Sequence, residues 1–225
     1  MKRLLSTIKI QVNEKLYNKD PETSELGKKI IEHSIRLIHE MGVETFTFKK
    51  LGNAIGSNES SIYRYFENKH KLLLYLTSWY WSWIEYQLVF STFNVTNPKE
   101  KIAKAIEILT QPISQDSTYK HIDEILLSQI VVNEFSKSYL TKEVDTENKE
   151  GYFSVFKRLI TRLKEIIIEI NPKYPYPLSL ASTVIEGSLY QNFLKDHFMS
   201  ITDCNSSKEI KEFLIHLVNT TLKNS

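Results

Sequence analysis

The 225-residue chain is poor in three residue types that mark common protein classes, with one cysteine, six glycines and six prolines. A single cysteine, Cys204, excludes an internal disulfide and a cysteine-rich zinc site, and it fits the reducing cytoplasm. So few glycines and prolines leave little room for a turn-rich β-sandwich, which needs a turn every ~8–12 residues. The glycines also form no phosphate-cradling loop, which disfavours nucleotide-binding folds of the P-loop or dinucleotide type.

The formal net charge is only +2, but the charges are unevenly distributed. Residues 1–97 carry 13 lysines and arginines against 10 acids, whereas residues 98–225 carry 16 against 17. Within residues 47–72 there are five basic residues and two acidic ones. This part of the chain is therefore a candidate for a surface that faces a polyanion. On charge alone, a solvated lysine-rich surface explains the excess equally well.

Long hydrophobic runs are also scarce, and the strongest candidate is residues 72–93, which contain one charged residue, Glu85. A membrane-spanning helix needs ~20 predominantly apolar residues, so the length would suffice. However, several serines, threonines and a glutamine would then lie in hydrocarbon together with Glu85, where polar groups are costly. We therefore expect no membrane partner and interpret the stretch as a buried or ligand-facing helix.

The first 23 residues differ in pattern from the rest of the chain. Ile8, Ile10 and Val12 alternate with polar residues, which is typical of a short strand, but no second alternating segment lies nearby. We expect residues 1–23 to form an extended arm that docks on the body of the protein or on a partner chain. Pro21 then ends the arm before the first helix.

Three helices are predicted after the arm, and the second and third are short. Ser24 is a suitable N-cap, and apolar residues recur at helical spacing until Gly42. A second helix covers about residues 49–55, and Gly56 is the left-handed residue that ends it. A third helix follows at once, with its N-cap at one of the residues 57–58. Two short helices joined by a three- to four-residue turn that contains glycine form a helix-turn-helix.

The remainder of the chain predicts only helices, so the expected fold class is all-α. Residues 72–93 form the fourth helix. Five more helices are expected at residues 98–111, 119–140, 151–170, 178–198 and 207–222, and the polar residues 141–150 are expected to form a loop or a frayed turn.

No pattern in the sequence predicts catalysis or metal binding. The six histidines show no pair at ligand spacing that supporting carboxylates accompany. The nearest approach to a metal cluster, Asp196 and His197 with Asp203, is interpreted as a surface group at a helix end. No Ser-His-Asp order, paired-carboxylate motif or activated cysteine stands out. We therefore expect no enzymatic activity, no metal and no cofactor.

Residues 49–74, KKLGNAIGSNESSIYRYFENKHKLLL, resemble the DNA-binding signature of the tetracycline-repressor (TetR) family. The resemblance covers the first helix from Ser24, the glycine turn, residues 63–66 and Lys69. After about residue 95 the chain resembles the family only in the number of its predicted helices. It implies a homodimeric, all-helical transcriptional regulator, usually a repressor that a small molecule releases from DNA.

Polar side chains face outward from the third helix if the apolar residues of this segment face inward. A recognition helix places its N-terminal residues against base edges in the major groove. Ser60 and Ser61 allow a close approach, and Arg64 can bind guanine or a phosphate. Tyrosine hydroxyls and lysines would bind phosphates on either side of the groove. The predicted DNA-binding residues are Thr47, Lys49, Asn58, Glu59, Ser60, Ser61, Tyr63, Arg64, Tyr65 and Lys69.

Each of these residues also has a purely structural interpretation. Tyr63 or Tyr65 could be a half-buried packing residue whose hydroxyl binds water. Arg64 and Lys69, taken singly, are ordinary surface charges. Their joint placement around Gly56 is what favours contact with DNA.

All three tryptophans lie on the fourth helix, within an aromatic cluster at residues 79–93. Trp79, Trp83, Tyr86 and Phe90 fall on one helix face by i, i+4, i+7, i+11 spacing. In the family that the sequence resembles, this helix links the DNA-binding head to an effector cavity. We therefore predict that these four residues line an apolar cavity for a small-molecule effector, with Glu85 near its rim. A well-packed aromatic core without a ligand is the alternative.

The last two predicted helices carry apolar residues at helical spacing, and the resemblance implies that this pair forms a homodimer. Two recognition helices set ~34–36 Å apart by a twofold axis read a palindrome, which one helix alone cannot specify. The predicted domains are residues 24–70, which bind DNA, and residues 71–225, which bind the effector and dimerise. The predicted function is a cytoplasmic repressor that binds double-stranded DNA. The alternatives are a small-molecule sensor with a vestigial DNA-binding head and, less favoured, an enzyme.

Overall fold

A computed structural model describes residues 10–116 and 118–223, which form ten α-helices and no β-strand. The predicted all-α fold class is therefore confirmed. In chain order the helices are α1 (Glu25–Thr45), α2 (Phe48–Ile55), α3 (Glu59–Tyr63), α4 (Lys69–Thr92), α5 (Pro98–Thr110), α6 (Glu124–Tyr139), α7 (Val144–Lys149), α8 (Ser154–Ile170), α9 (Pro177–His197) and α10 (Ser207–Lys223).

The N-terminal segment is less extended than the arm that the sequence predicted. Ile8 lies outside the described residues, and the chain from residue 10 contains two short 3-10 helices, Glu14–Leu16 and Pro21–Thr23. Side-chain caps explain both turns, because Asn13 accepts from the Lys15 backbone N–H and Asp20 accepts from that of Glu22. Local capping therefore prevails over the period-two pattern.

A second difference concerns residues 119–150. The helix expected at residues 119–140 begins only at Glu124, where the side chain of Asp123 accepts a hydrogen bond from the backbone N–H of Leu126. The polar segment at residues 141–150, expected as a loop or a frayed turn, contains α7. This six-residue helix buries the side chain of Glu147 and no large apolar residue, so hydrophobic periodicity could not mark it.

The chain divides into two compact units. The first comprises Met1–Ser82 and Ile113–Ser154, and the second comprises Trp83–Pro112 and Val155–Ser225. Helix α4 is continuous across the boundary between Ser82 and Trp83. The boundary between these units follows the packing of the chain and does not concern function. The functional division predicted after residue 70 therefore stays a prediction.

The first unit is organised around α1, which packs against α2 and α6. Gly42 interrupts α1 with a φ of 73°, a conformation that favours glycine. The Glu134 carboxylate of α6 accepts a hydrogen bond from the Val43 backbone N–H at 3.2 Å. Lys69 of α4 donates to the carbonyl oxygens of Val43 and Glu44 at 2.9 and 2.8 Å. These two side chains together fix the junction between α1 and α2.

The second unit contains the mutually packed helices α5, α9 and α10. The buried face of α8 is formed by five apolar residues, Val155, Leu159, Leu163, Ile166 and Ile167. Across the helices of the described chain, none has the length and apolar content to cross a membrane.

Candidate nucleic-acid interface

Helix α2 begins and ends with the local chemistry that the sequence predicts. The Thr47 hydroxyl accepts a hydrogen bond from the Lys50 backbone N–H at 3.2 Å and so caps the helix. Gly56 ends it in the left-handed conformation, with φ 66° and ψ 35°. The Ser57 N–H then donates to the Gly52 carbonyl at 2.9 Å, which closes the turn. The predicted glycine turn is confirmed.

Helix α3 is a five-residue helix whose N-cap is Asn58. Its side-chain oxygen accepts hydrogen bonds from both the backbone N–H and the hydroxyl of Ser61, each at 2.8 Å. Ile62 is fully buried, as are Leu51 of α2 and Phe66 after the helix. An apolar base therefore fixes the side of α3 that faces the protein.

The opposite side of the α2–α3 pair carries most of the predicted DNA-binding residues. Six of them are exposed, namely Thr47, Lys49, Asn58, Ser60, Tyr63 and Arg64. Glu59 and Ser61 are intermediate in exposure. The helix-turn-helix thus brings eight polar side chains onto one short stretch of its surface, with hydroxyl, carboxylate, ammonium and guanidinium groups available for hydrogen bonds.

Tyr63 combines packing and exposure. Its ring lies edge-on against that of Phe48, with 5.0 Å between the centroids, while 48% of the residue remains exposed. Its hydroxyl donates to Glu59 at 3.3 Å. Partial desolvation and the Glu59 carboxylate raise the pKa of Tyr63, so the hydroxyl keeps its proton at neutral pH.

Tyr65 and Lys69 differ from their expected positions in the interface. Tyr65 is buried, and its hydroxyl shares a 2.8 Å hydrogen bond with Ser24. The ammonium group of Lys69 is engaged by the carbonyls at the end of α1. Polar groups near a core find their hydrogen-bond partners within the protein. Both side chains therefore bond to α1 or its N-cap and link the helix-turn-helix to that helix.

The aromatic helix α4 places its four predicted ligand residues in different surroundings. Trp79 is buried in the first unit and lies edge-on to Tyr119, with 5.2 Å between the centroids. Trp83 is buried in the second unit. Tyr86 is intermediate, and Phe90 is 58% exposed, with its ring stacked near that of Tyr86. The shared helix face therefore runs from core to solvent.

Glu85 lies in an ion-pair cluster, and its partner Arg162 lines a pocket of the second unit. Its carboxylate accepts from Nε and Nη2 of Arg158 at 2.6–2.9 Å and from Nε of Arg162 at 2.6 Å. Burial raises the pKa of Glu85, but the hydrogen bonds from both arginines outweigh it and hold the pKa below its ordinary value. The feature of the sequence that could have indicated this cluster is the i, i+4 spacing of the two arginines, which places both on one face of α8.

A pocket of about 220 Å³ borders this cluster within the second unit. It is lined by Leu88, Val89, Thr92, Phe93, Lys101, Arg162, Glu165, Ile166 and Glu169. Trp83 and Tyr86 are not part of its lining. The combination of an apolar wall and charged residues makes it an amphipathic groove.

In residues 10–116 and 118–223, no group of three or more His, Cys, Asp or Glu side chains is placed to hold a metal ion.

Two residues that the sequence analysis did not select, Asn18 and Lys19, lie next to the end of α3. Asn18 donates hydrogen bonds to the carbonyls of Tyr63 and Tyr65, and the Lys19 ammonium lies over the Tyr65 ring. No hydrophobic periodicity marks these residues.

Comparison with known proteins places this interface in a family. The family model described as "Bacterial regulatory proteins, tetR family" matches residues 30–76, which span α1 to the start of α4. No curated protein matches the chain in sequence.

Solved structures share the fold at low sequence identity. The crystal structure of AibR in complex with isovaleryl coenzyme A and operator DNA is 16% identical, with a TM-score of 0.59, over 84% of this chain and 97% of AibR. A transcriptional regulator from Rhodococcus sp. Rha1 is 12% identical, with a TM-score of 0.61, over 92% of this chain and 97% of its own. The TetR family regulator PfmR from Thermus thermophilus is 15% identical, with a TM-score of 0.57, over 86% of this chain and 97% of its own. Residues 30–76, which contain the helix-turn-helix, therefore match the model of the tetR family of bacterial regulatory proteins, and over most of its length the chain shares the fold of solved transcriptional regulators.

Proposed function

We propose that this regulator is a cytoplasmic repressor whose homodimer binds a palindromic operator and is released by a small apolar or aromatic ligand. The observation that carries the proposal is the polar, exposed face of α2 and α3 above a fully buried apolar base. Such a face can enter the major groove without unfolding any part of the head.

The proposed contacts follow from the position of each side chain. Ser60, Ser61 and Glu59, in the first turn of α3, are candidates for base edges. Arg64 at the other end of α3 has a guanidinium that can bind guanine or clamp a phosphate. Phosphate contacts are assigned to Thr47, Lys49, Asn58 and Tyr63. Tyr65 and Lys69 are left out because their polar groups are engaged inside the head.

Dimerisation is proposed through α9 and α10, which pack against each other in the second unit. Large apolar side chains remain exposed on both helices, including Leu178 and Tyr190 on α9 and Phe213 on α10. Exposed apolar patches of this kind mark interaction surfaces. A second copy of the chain is the proposed occupant, because a palindrome needs two recognition helices related by a twofold axis.

Ligand control is proposed to act through the second unit. AibR, a structural neighbour, is described in complex with isovaleryl coenzyme A and operator DNA together. Here Trp83 and Tyr86 on α4 are the proposed contacts for an apolar or aromatic effector. A ligand can alter DNA affinity only if it binds the two states of the dimer with different affinity.

The experiment that tests the proposal is selection of duplexes from a random-sequence pool by the full-length protein. We expect enrichment of a palindrome whose half-sites are ~10 base pairs apart or a multiple of this, and a dimer mass for the protein in solution. Enrichment of no sequence would contradict the proposal and favour a small-molecule sensor with a vestigial head. Enrichment of single half-sites by a monomer would contradict the dimer.

A further inference from the structure

Residues 11–20, which precede α1, pack against the same unit as the helix-turn-helix. We call residues 11–20 the N-terminal strap. Its Leu16 is fully buried. At its start, the carbonyl of Gln11 accepts a hydrogen bond from the Ser82 hydroxyl at 2.8 Å. The Asn13 amide donates to the Glu150 carbonyl at 3.2 Å. The strap is therefore docked at several points within the first unit.

The far end of the strap meets the C-terminal end of α3. The backbone N–H of Asn18 donates to the Tyr65 carbonyl at 2.8 Å. Its side-chain amide donates to the Tyr63 carbonyl at 3.1 Å. One residue thus supplies two donors to two carbonyls at the end of the recognition helix.

These bonds are important because α3 is very short. A five-residue helix has almost no intrinsic stability, since nucleation is unfavourable and its last carbonyls lack partners within the helix. Its N-terminus is capped by Asn58 and one side is held by Ile62. Asn18 completes this support at the opposite end. Tyr63 and Arg64, which the proposed function assigns to DNA, lie within two residues of the bonded carbonyls.

Lys19 reinforces the same contact. Its ammonium lies 5.1 Å from the centroid of the Tyr65 ring, within cation–π distance. The Tyr65 hydroxyl is in turn bonded to Ser24, the N-cap of α1. The end of α3 is therefore enclosed by the strap on one side and by the start of α1 on the other.

We propose that Asn18 is a positioning residue for DNA binding: it caps the C-terminal end of α3 and so fixes the direction in which Tyr63 and Arg64 point. This inference rests on the proposed function, because it requires α3 to contact a duplex. It adds a residue outside the helix-turn-helix to the set that determines affinity for the operator.

The test compares variants of the full-length protein on the duplex that the wild type enriches from a random pool. Asn18→Leu removes the amide donor at similar size, and Asn18→His restores an N–H at a similar distance from the backbone. Asn13→Leu is the control, because it removes an amide-to-carbonyl bond and the cap of the Glu14–Leu16 turn in the same strap, neither of which touches α3. Thermal denaturation measures the fold, and anisotropy measures affinity for the selected duplex and for a scrambled one.

We expect Asn18→Leu to bind the selected duplex about tenfold more weakly, since each head loses one hydrogen bond of ordinary strength. Affinity for the scrambled duplex should fall much less, because no phosphate-binding charge is removed. Asn18→His should recover most of the loss, and Asn13→Leu should bind like the wild type even where its melting temperature falls.

Three results would overturn the inference. One is wild-type affinity in Asn18→Leu, and another is an equal loss on both duplexes. The third is an equal loss of specific binding in Asn13→Leu and Asn18→Leu, which would assign the effect to docking of the whole strap. A wild-type protein that enriches no duplex would instead overturn the proposed function itself, so the two failures are distinguishable.

Discussion

The ring of Tyr63 lies edge-on against the ring of Phe48, with 5.0 Å between centroids and 71° between the ring planes. This contact joins the end of α3 to the start of α2, so the aromatic pair adds to the buried apolar base that holds the two helices together. Aromatic pairs of this geometry contribute about 0.5–1.5 kcal/mol beyond the burial of their area. The hydroxyl of the same tyrosine points to the exposed face that we assign to DNA.

Substitution of Tyr63 separates these two roles. Tyr63→Phe keeps the ring contact, so the free energy of unfolding should stay within about 0.5 kcal/mol of the wild type, while affinity for the selected duplex falls about three- to tenfold. Tyr63→Ala should lose both stability and affinity. Urea denaturation and anisotropy titrations measure the two quantities. Undiminished DNA binding by Tyr63→Phe would show that the hydroxyl makes no contact.

Local sequence signals were sufficient to predict the helix-turn-helix. Gly56, Asn58 and Ile62 act through turn, cap and core chemistry within a few residues, so the pattern itself contains the information. The roles of Tyr65 and Lys69 could not be predicted in this way. Their partners lie on α1 or at its N-cap, and a contact between residues 25 to 41 positions apart leaves no periodic signal.

The same limit applies to the strap and to Glu85. Alternation at Ile10 and Val12 predicted an extended arm, but the side-chain caps of two short turns determine the actual path. Glu85 was expected near a ligand because only its own helix was considered. Its partners Arg158 and Arg162 are more than 70 residues away, so the packing of α8 had to be known first.

Gly52 should tolerate substitution less well than Gly56, although only Gly56 has a positive φ. A Cβ on Gly52 would lie 2.8 Å from the carbonyl oxygen of Ser57, whereas a Cβ on Gly56 meets nothing within 4 Å. Gly52→Ala should therefore cost about 2 kcal/mol or more, and Gly56→Ala about 1 kcal/mol. Urea denaturation measures both. A smaller loss for Gly52→Ala than for Gly56→Ala would contradict the close approach of the turn.

Removal of the Glu85 carboxylate should destabilise the second unit. Glu85→Gln leaves the guanidinium groups of Arg158 and Arg162 without their anion, at a cost of about 1–3 kcal/mol after allowance for their partial exposure. Glu107→Gln, which disrupts an exposed pair with Lys211 in the same unit, should cost less than about 0.5 kcal/mol.

At acid pH the difference in free energy of unfolding between the wild type and Glu85→Gln should disappear. The folded-state pKa of Glu85 lies below its ordinary value of 4.5, so its contribution is present above that pH and is lost as the pH falls. Urea denaturation between about pH 3 and pH 7 measures this, with both proteins in the same buffers. A difference that stays constant with pH would show that the carboxylate charge is not responsible.

Glu124 should show the opposite pH dependence. It is fully buried at the start of α6, and burial raises its pKa to about 7 despite a hydrogen bond from the Asp116 backbone N–H. The folded protein therefore binds more protons than the unfolded chain, and stability falls as the pH rises from about 4.5 to 7.

Glu124→Gln removes this titration. As the pH rises from about 5 to about 8, the free energy of unfolding of the variant should therefore increase by about 1–3 kcal/mol relative to that of the wild type. Denaturant titrations at the two pH values measure the relative gain. A gain that is equal at both pH values would assign the effect to packing rather than to ionisation.

The most direct measurement is the salt dependence of binding to the selected duplex by wild type, Arg64→Ala and Lys104→Ala. Lys104 is exposed on α5 and is not among the residues assigned to DNA, so its replacement removes the same charge without removing a proposed contact. Arg64→Ala should bind more weakly, and the slope of log K against log[salt] should become less negative by about 1 per head if Arg64 clamps a phosphate. Lys104→Ala should match the wild type. Equal affinity and equal slopes for all three proteins would contradict DNA binding by the exposed face of α3.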